Sequence, residues 1–223
     1  MPGVSGSELA ARYPFAWHMA EAGTWESIRR HGLRSTSSLL DLYGVTGLER
    51  NRIESTHRPS ATRLSAPGLP DAIVRDQAPM NERVLASVLD DGLSPRDWYR
   101  ILNARVFFWV SHDRLERLLG GRLYRSRPHT VITADTGRLL ALHQDRITLS
   151  PINSGNTMMV AMRRGLRTFL PLNAYPFHER RSARKEPVAE VAVNGLVPDI
   201  ESIVVRVEER QAGADPRIVY TTV

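Results

Sequence analysis

The sequence predicts an α+β fold, on three observations. Strand-like stretches such as RVFFWV (105–110) and HTVITAD (129–135) mix with helical patterns, but without the regular strand–helix alternation of a parallel sheet. Helical patterns crowd the first half of the chain and strand patterns the second. No internal repeat or low-complexity tract points to a solenoid or a disordered chain.

The elements follow in order. Residues 7–16 read as a short helix or a lead-in, and PFAWHMA (14–20) as a brief strand. GTWESIRRHGL (23–33) reads as a helix, with Thr24 as cap, Trp25, Ile28 and Arg29 at helical spacing, and Gly32 as stop. STSSLLDLYGV (35–45) is a second helix, capped by one of its serines and stopped by Gly44. The stretch 46–71 is polar without a lasting apolar period and reads mostly as loop, with one helical turn near Gly47–Ile53. DAIVRDQ (71–77) is a short strand. Asn81 to Leu89 is a helix ended by Gly92, and Ser94-Pro95 opens another that runs to about Asn103. RVFFWV is a strong strand, and SHDRLERLLGG (111–121) is a helix between Ser111 and Gly120-Gly121. HTVITAD is a strand, TGRLLALH (136–143) a helix, and DRITLSPIN (145–153) a strand entering a loop. TFLPLNAYPF (168–177) reads as loop with some extended chain. VAEVAVNG (188–195), ESIVVRVEE (201–209) and PRIVYTTV (216–223) read as strands. The whole, 1–223, reads as one domain.

Composition narrows the chemistry. The 223 residues are 42% apolar and 24% charged, enough for a self-sufficient core. With no cysteine, disulfides, thiolate metal sites and cysteine nucleophiles are excluded. The net charge is +6 and Lys185 is the only lysine, so arginine carries the positive charge. Arginine-rich chains suit polyanions, although codon bias produces the same composition. No apolar run is long enough to cross a bilayer, and MPGVSGSELAARY lacks the character of a signal peptide. The expectation is a cytoplasmic protein without a membrane partner. P-loop, GxGxxG, HExxH and GxSxG motifs are missing, and the seven histidines have no metal-ligand spacing. No metal is expected.

Two stretches stand out. WHMAEAGTWESIRRHGLRST (17–36) puts His18 just before a helical unit and Ser35 just after it. In AEVAVNGLVPDIESI (189–203), Glu190 lies inside an apolar strand, a costly place for a carboxylate unless it is paired or at a cleft; the plain alternative is an edge-strand glutamate facing water. Together with the aromatic strand VFFWVS (106–111), these pieces resemble, in order, the ADP-ribosyltransferase superfamily, and within it the DarT-type toxins that ADP-ribosylate DNA. The resemblance implies a split β-sheet core and cleavage of NAD+ at its nicotinamide–ribose bond through an oxocarbenium-like state. It implies Glu190 as the catalytic carboxylate, His18 and Ser35 as ribose-holding residues, and one of Phe107, Phe108 or Trp109 stacked on nicotinamide. It further implies nucleic acid as acceptor, DNA before RNA, and an antitoxin protein as partner if the chain is the toxin of a toxin–antitoxin or phage-defence pair.

The likeness is incomplete. DarT-type enzymes place a Pro-Arg shortly after the aromatic strand, whereas this chain has FFWVSHDRL (107–115). Arg105, His112 and Arg114 are the candidates for that role. Asn153 and Asn156, in the polar loop SPINSGNT (150–157), suit a base or ribose edge and equally an ordinary turn. NAYPFHERRSARKEP (173–187) occupies the position of the superfamily's target-selecting loop. Tyr175, Phe177 and His178 offer stacking faces there, and Arg180, Arg181 and Arg184 phosphate partners. Other readings are a protein-targeting ADP-ribosyltransferase, an RNA 2′-phosphotransferase-like enzyme (from the phrase IRRHGLRST), and a non-enzymatic basic nucleic-acid-binding module.

Overall fold

The structure is a computed structural model that describes residues 3–158, 162–183 and 186–222. It is α+β. Its strands are β1 (Phe15–Glu21), β2 (Leu33–Arg34), β3 (Thr62–Leu64), β4 (Ala72–Val74), β5 (Arg105–Trp109), β6 (His129–Asp135), β7 (Ile147–Ser150), β8 (Leu170–Pro171), β9 (Glu190–Asn194), β10 (Leu196–Val197), β11 (Val204–Arg210) and β12 (Arg217–Thr221). The helices are α1 (Gly6–Arg12), α2 (Trp25–His31), α3 (Thr36–Leu42), α4 (Gly47–Ser55), α5 (Glu82–Val88), α6 (Pro95–Asn103), α7 (His112–Leu119), α8 (Thr136–His143), α9 (Phe177–Ala183) and α10 (Ile200–Ile203).

Eight strands make one antiparallel sheet in the order β12-β11-β6-β1-β5-β9-β7-β8. Its middle is weak. β1 pairs with β6 along seven residues, but with β5 only at Trp17 opposite Trp109. The sheet therefore opens between two four-stranded halves, and the next residue along β1 from that single pair is His18. The main core packs Leu9, Trp25, Phe108, Ile132, Val191 and Val207 with their neighbours against both halves.

Local chemistry explains most of the elements. Ser35 and Asn81 cap α3 and α5 through their side chains, and Ser94 with Asp97 forms a capping box ahead of Pro95 in α6. Thr24 does not cap α2 as expected; its hydroxyl donates to Glu21 O at 2.7 Å, tying the turn back to β1. After Gly32, β2 pairs with β10, and Ser35 N–H donates to Gly195 O at 2.9 Å. The chain thus clips Ser35 beside the end of β9. Gly32 has φ +79°, and a Cβ there would lie 2.9 Å from Pro198 Cα. Gly32→Ala is therefore expected to cost about 2–4 kcal/mol in denaturant unfolding, since only glycine tolerates this backbone and the neighbour is main chain.

Three sequence readings are corrected. The stretch 46–71 holds more than one helical turn: Gly47–Ser55 is a full helix, and β3 pairs with β4 as a hairpin. Its buried contacts, Ile53 and Leu64 against Leu40 and Val74, are tertiary and leave no local period. The expected strand from Glu201 begins only at Val204, because Ile200–Ile203 turns as a short helix. The stretch expected as a target loop includes helix α9.

Candidate functional site

A cavity of about 380 Å³ opens at the split in the sheet, in the size range of small-molecule sites. One wall is β1 and β5, a second is α2–β2–α3, and a third is the chain from β4 to Gln77. The loop 153–156 and Glu190 close its inner end. His18, Ser35 and Glu190, up to 172 positions apart in sequence, line this one cavity.

Glu190 opens β9 between β5 and β7, so it is an interior residue and not an edge-strand glutamate facing water. It is 3% exposed. Its two carboxylate oxygens share the Ser154 N–H, each at 3.2 Å. Burial raises its pKa from 4.5 to about 7, opposed by the Ser154 hydrogen bonds and the charges of Arg114 and Arg164. Near neutrality it is thus poised between acid and base.

The loop that meets Glu190 is held from behind. Ser154 O accepts from Arg164 Nη1 at 2.9 Å and from Trp98 Nε1 at 3.3 Å. Arg164 is 1% exposed, its guanidinium lies 5.8 Å from the Trp98 ring centroid, and it also donates to Asn156 O at 3.1 Å. Asn153 and Asn156 line the cavity, but their side-chain oxygens accept from Gly155 N–H and Met158 N–H. They are both turn-formers and wall.

His18 Nδ1 lies 2.8 Å from Phe107 O across the split. A carbonyl only accepts, so Nδ1 carries the proton. Burial lowers the His18 pKa to about 4, so the ring is neutral at pH 7. Its Nε2 is then a lone-pair acceptor, suited to a hydroxyl donor. Ser35 is buried, with its Oγ accepting from Ser38 N–H as the α3 cap.

Other candidates fall elsewhere. Phe108 is fully buried in the core with its ring 5.8 Å from that of His18, so it backs the histidine, while Phe107 and Trp109 line the cavity. Arg105 also lines it, stacked at 4.7 Å over Phe169 with Nη1 on Ile101 O. His112 is outside, edge-on to Trp17 and paired with Glu116. Arg114 is held by Glu186 at 3.0 Å. Tyr175 and Phe177 are core residues, not stacking faces, and Tyr175 donates its hydroxyl to Pro187 O. His178, Arg180 and Arg181 belong to α9, away from the cavity wall, with Arg180 over Tyr175. Arg184 lies outside the described residues.

Sequence reasoning missed the third wall. Arg75 donates Nη1 to Met19 O at 2.8 Å, beside His18, and lies over Tyr124, whose hydroxyl donates to Asp76. Arg58, buried, ties Ile53 O to Asn103 Oδ1. Both arginines line the cavity. The sequence reading placed Arg75 inside one short strand, DAIVRDQ; its half-buried position comes from packing between distant segments.

Among the described residues, no three His, Asp or Glu side chains are grouped to hold a metal ion, and no helix is long and apolar enough to cross a membrane. No curated protein matches the chain. Residues 14–204, from the start of β1 to the start of β11, match a family of unknown function, DUF7002. That span contains every residue of the cavity wall, and the chain belongs to this family.

Proposed function

We propose that the chain is an NAD+-dependent ADP-ribosyltransferase that modifies nucleic acid, DNA before RNA. The observation that carries this reading is the meeting of His18, Ser35 and a buried, proton-poised Glu190 in one cavity at the split of the sheet. The cavity also suits the ligand. Arg34, Arg58, Arg75 and Arg105 give its walls the positive charge a pyrophosphate needs. Nε2 of His31 and Nε of Arg105, buried atoms of cavity-lining residues, have no protein partner among the described residues.

NAD+ supplies a ribose carbon whose bond to the nicotinamide nitrogen breaks with its electron pair, neutralising the pyridinium. Glu190 stabilises the positive charge that develops at that carbon and takes the proton released as the acceptor nitrogen or oxygen bonds there. His18 Nε2 accepts from a ribose hydroxyl and orients the sugar. Phe107 and Trp109 line the wall where the departing ring packs. If the chain is a toxin like the DarT-type enzymes it resembles, an antitoxin protein is the partner this reading calls for.

The test is incubation with labelled NAD+ and, separately, single-stranded DNA, duplex DNA, RNA and protein. Label appearing on nucleic acid is the expected result; label on protein alone would make the protein-targeting reading the better one. Because Glu190 acts as its carboxylate, the rate is expected to rise with pH along a limb centred near 7. A limb that persists in Glu190→Gln would mean that Glu190 is not the titrating group.

A further inference from the structure

The cavity at the split has room for part of a dinucleotide. Its volume of about 380 Å³ is near the low end for drug-sized ligands, whereas NAD+ carries two nucleosides joined by a pyrophosphate. A second, outer cavity of about 790 Å³ continues it. Glu21, Thr24, Ser27, His31, Asp71 and Ile73 line both, so the two meet between the β1–α2 turn and β4. Four consecutive residues of β1, His18 to Glu21, line the inner cavity, because it lies against the open edge of the strand and not against one face. His18 is one residue from the Trp17–Trp109 pair, and Trp109 is the register partner of Glu190. At Met19 the Arg75 guanidinium arrives. Its bond to Met19 O is its only hydrogen bond among the described residues, and it has no ion pair there, so Nε and Nη2 keep their donors for a ligand. Glu21 follows about 10 Å beyond His18. Outward from Glu190, the order is therefore His18 for a ribose, Arg75 for phosphate and Glu21 for what comes next.

Glu21 is the acid at this passage that lacks a close partner. Its Oε2 is buried without a hydrogen-bond partner among the described residues. Its Oε1 is 3.9 Å from Arg127 Nη1, but that guanidinium is nearer to Asp76, at 3.2 Å. A buried carboxylate oxygen without a donor is costly, and a ligand hydroxyl removes the cost. The other acids of the outer cavity are taken: Glu26 and Glu201 pair with Arg29, and Asp71 with Arg63. Of the arginines on that wall, Arg30 alone has no ion pair among the described residues.

We propose that Glu21 selects the dinucleotide: it accepts the 2′-hydroxyl of the adenosine ribose at the mouth of the outer cavity, and so admits NAD+ and rejects NADP+. A 2′-phosphate replaces that donor with negatively charged oxygens and sets them against the carboxylate. The inference rests on NAD+ as the co-substrate and goes beyond it by naming the residue that chooses between two nicotinamide dinucleotides.

The test is calorimetric titration of NAD+ and of NADP+ into the Glu190→Gln protein, in which the ligand is not consumed, with Glu21→Gln or Arg30→Ala added to it. The Glu190→Gln protein is expected to bind NAD+ on the order of 100-fold more tightly than NADP+. Adding Glu21→Gln is expected to narrow that preference about tenfold, chiefly by tightening NADP+. Structural damage weakens both ligands, so a gain for NADP+ separates selection from an effect on the fold. Adding Arg30→Ala is expected to leave the preference unchanged. Equal binding of the two dinucleotides, tighter binding of NADP+, or an equal loss of both on adding Glu21→Gln would overturn the selection while leaving a nicotinamide dinucleotide in the site. Binding of neither would overturn the co-substrate reading, and the selection with it.

Discussion

Glu190→Gln is expected to lower NAD+ consumption by about 10³-fold while making the protein more stable above neutral pH. The two effects have one origin. The folded protein holds a proton on Glu190 up to about pH 7, whereas an unfolded chain releases it near 4.5. Between those values the folded state binds more protons, so stability falls as pH rises through the window. Once the carboxylate is fully charged, the accumulated penalty is about 3 kcal/mol. Glutamine keeps the size of the side chain and an oxygen for the Ser154 N–H, yet never ionises. Denaturant unfolding should therefore find the variant about 3 kcal/mol more stable than wild type at pH 8 and nearly equal below pH 4.5. A charged residue retained against this cost is what an active site requires and a structural glutamate does not.

Arg164→Ala is expected to cost about 3–5 kcal/mol of stability and to move the rising limb of the pH–rate profile toward higher pH. Arg164 is buried, and its removal strands Asn156 O, leaves Ser154 O only its longer bond from Trp98 Nε1, and takes away the guanidinium's contact with the Trp98 ring. It also removes a nearby positive charge that holds the Glu190 carboxyl down, and it loosens the loop that presents the Ser154 N–H. A loss of stability with an unmoved limb would mean that Arg164 only holds the loop together.

How much of this was visible in the sequence depends on how local the cause is. Helices with caps and stops, such as α3 from Ser35 and α6 from Ser94-Pro95, are written in adjacent residues. So are β5 and β6, with their aromatic and β-branched runs. Glu190 was legible because a carboxylate in an apolar strand is out of place wherever that strand lies. What locality could not supply was partnership. The hairpin β3–β4 has three-residue strands, and its β4 becomes a cavity wall only by packing on α3 and α4. Arg164 and Arg75 look like ordinary surface arginines until Trp98 and Tyr124 are brought beneath them. The opposite error befell Tyr175 and Phe177, whose neighbouring arginines suggested a nucleic-acid surface although both rings fill the core.

The most direct test of the central claim is transfer of label from NAD+ to a single-stranded oligodeoxynucleotide, comparing wild type with Glu190→Gln at pH 8, where both are folded. Label on the wild-type product that is absent with the variant is the predicted result. Equal label with both proteins, or no NAD+ consumed by the wild type, would contradict it.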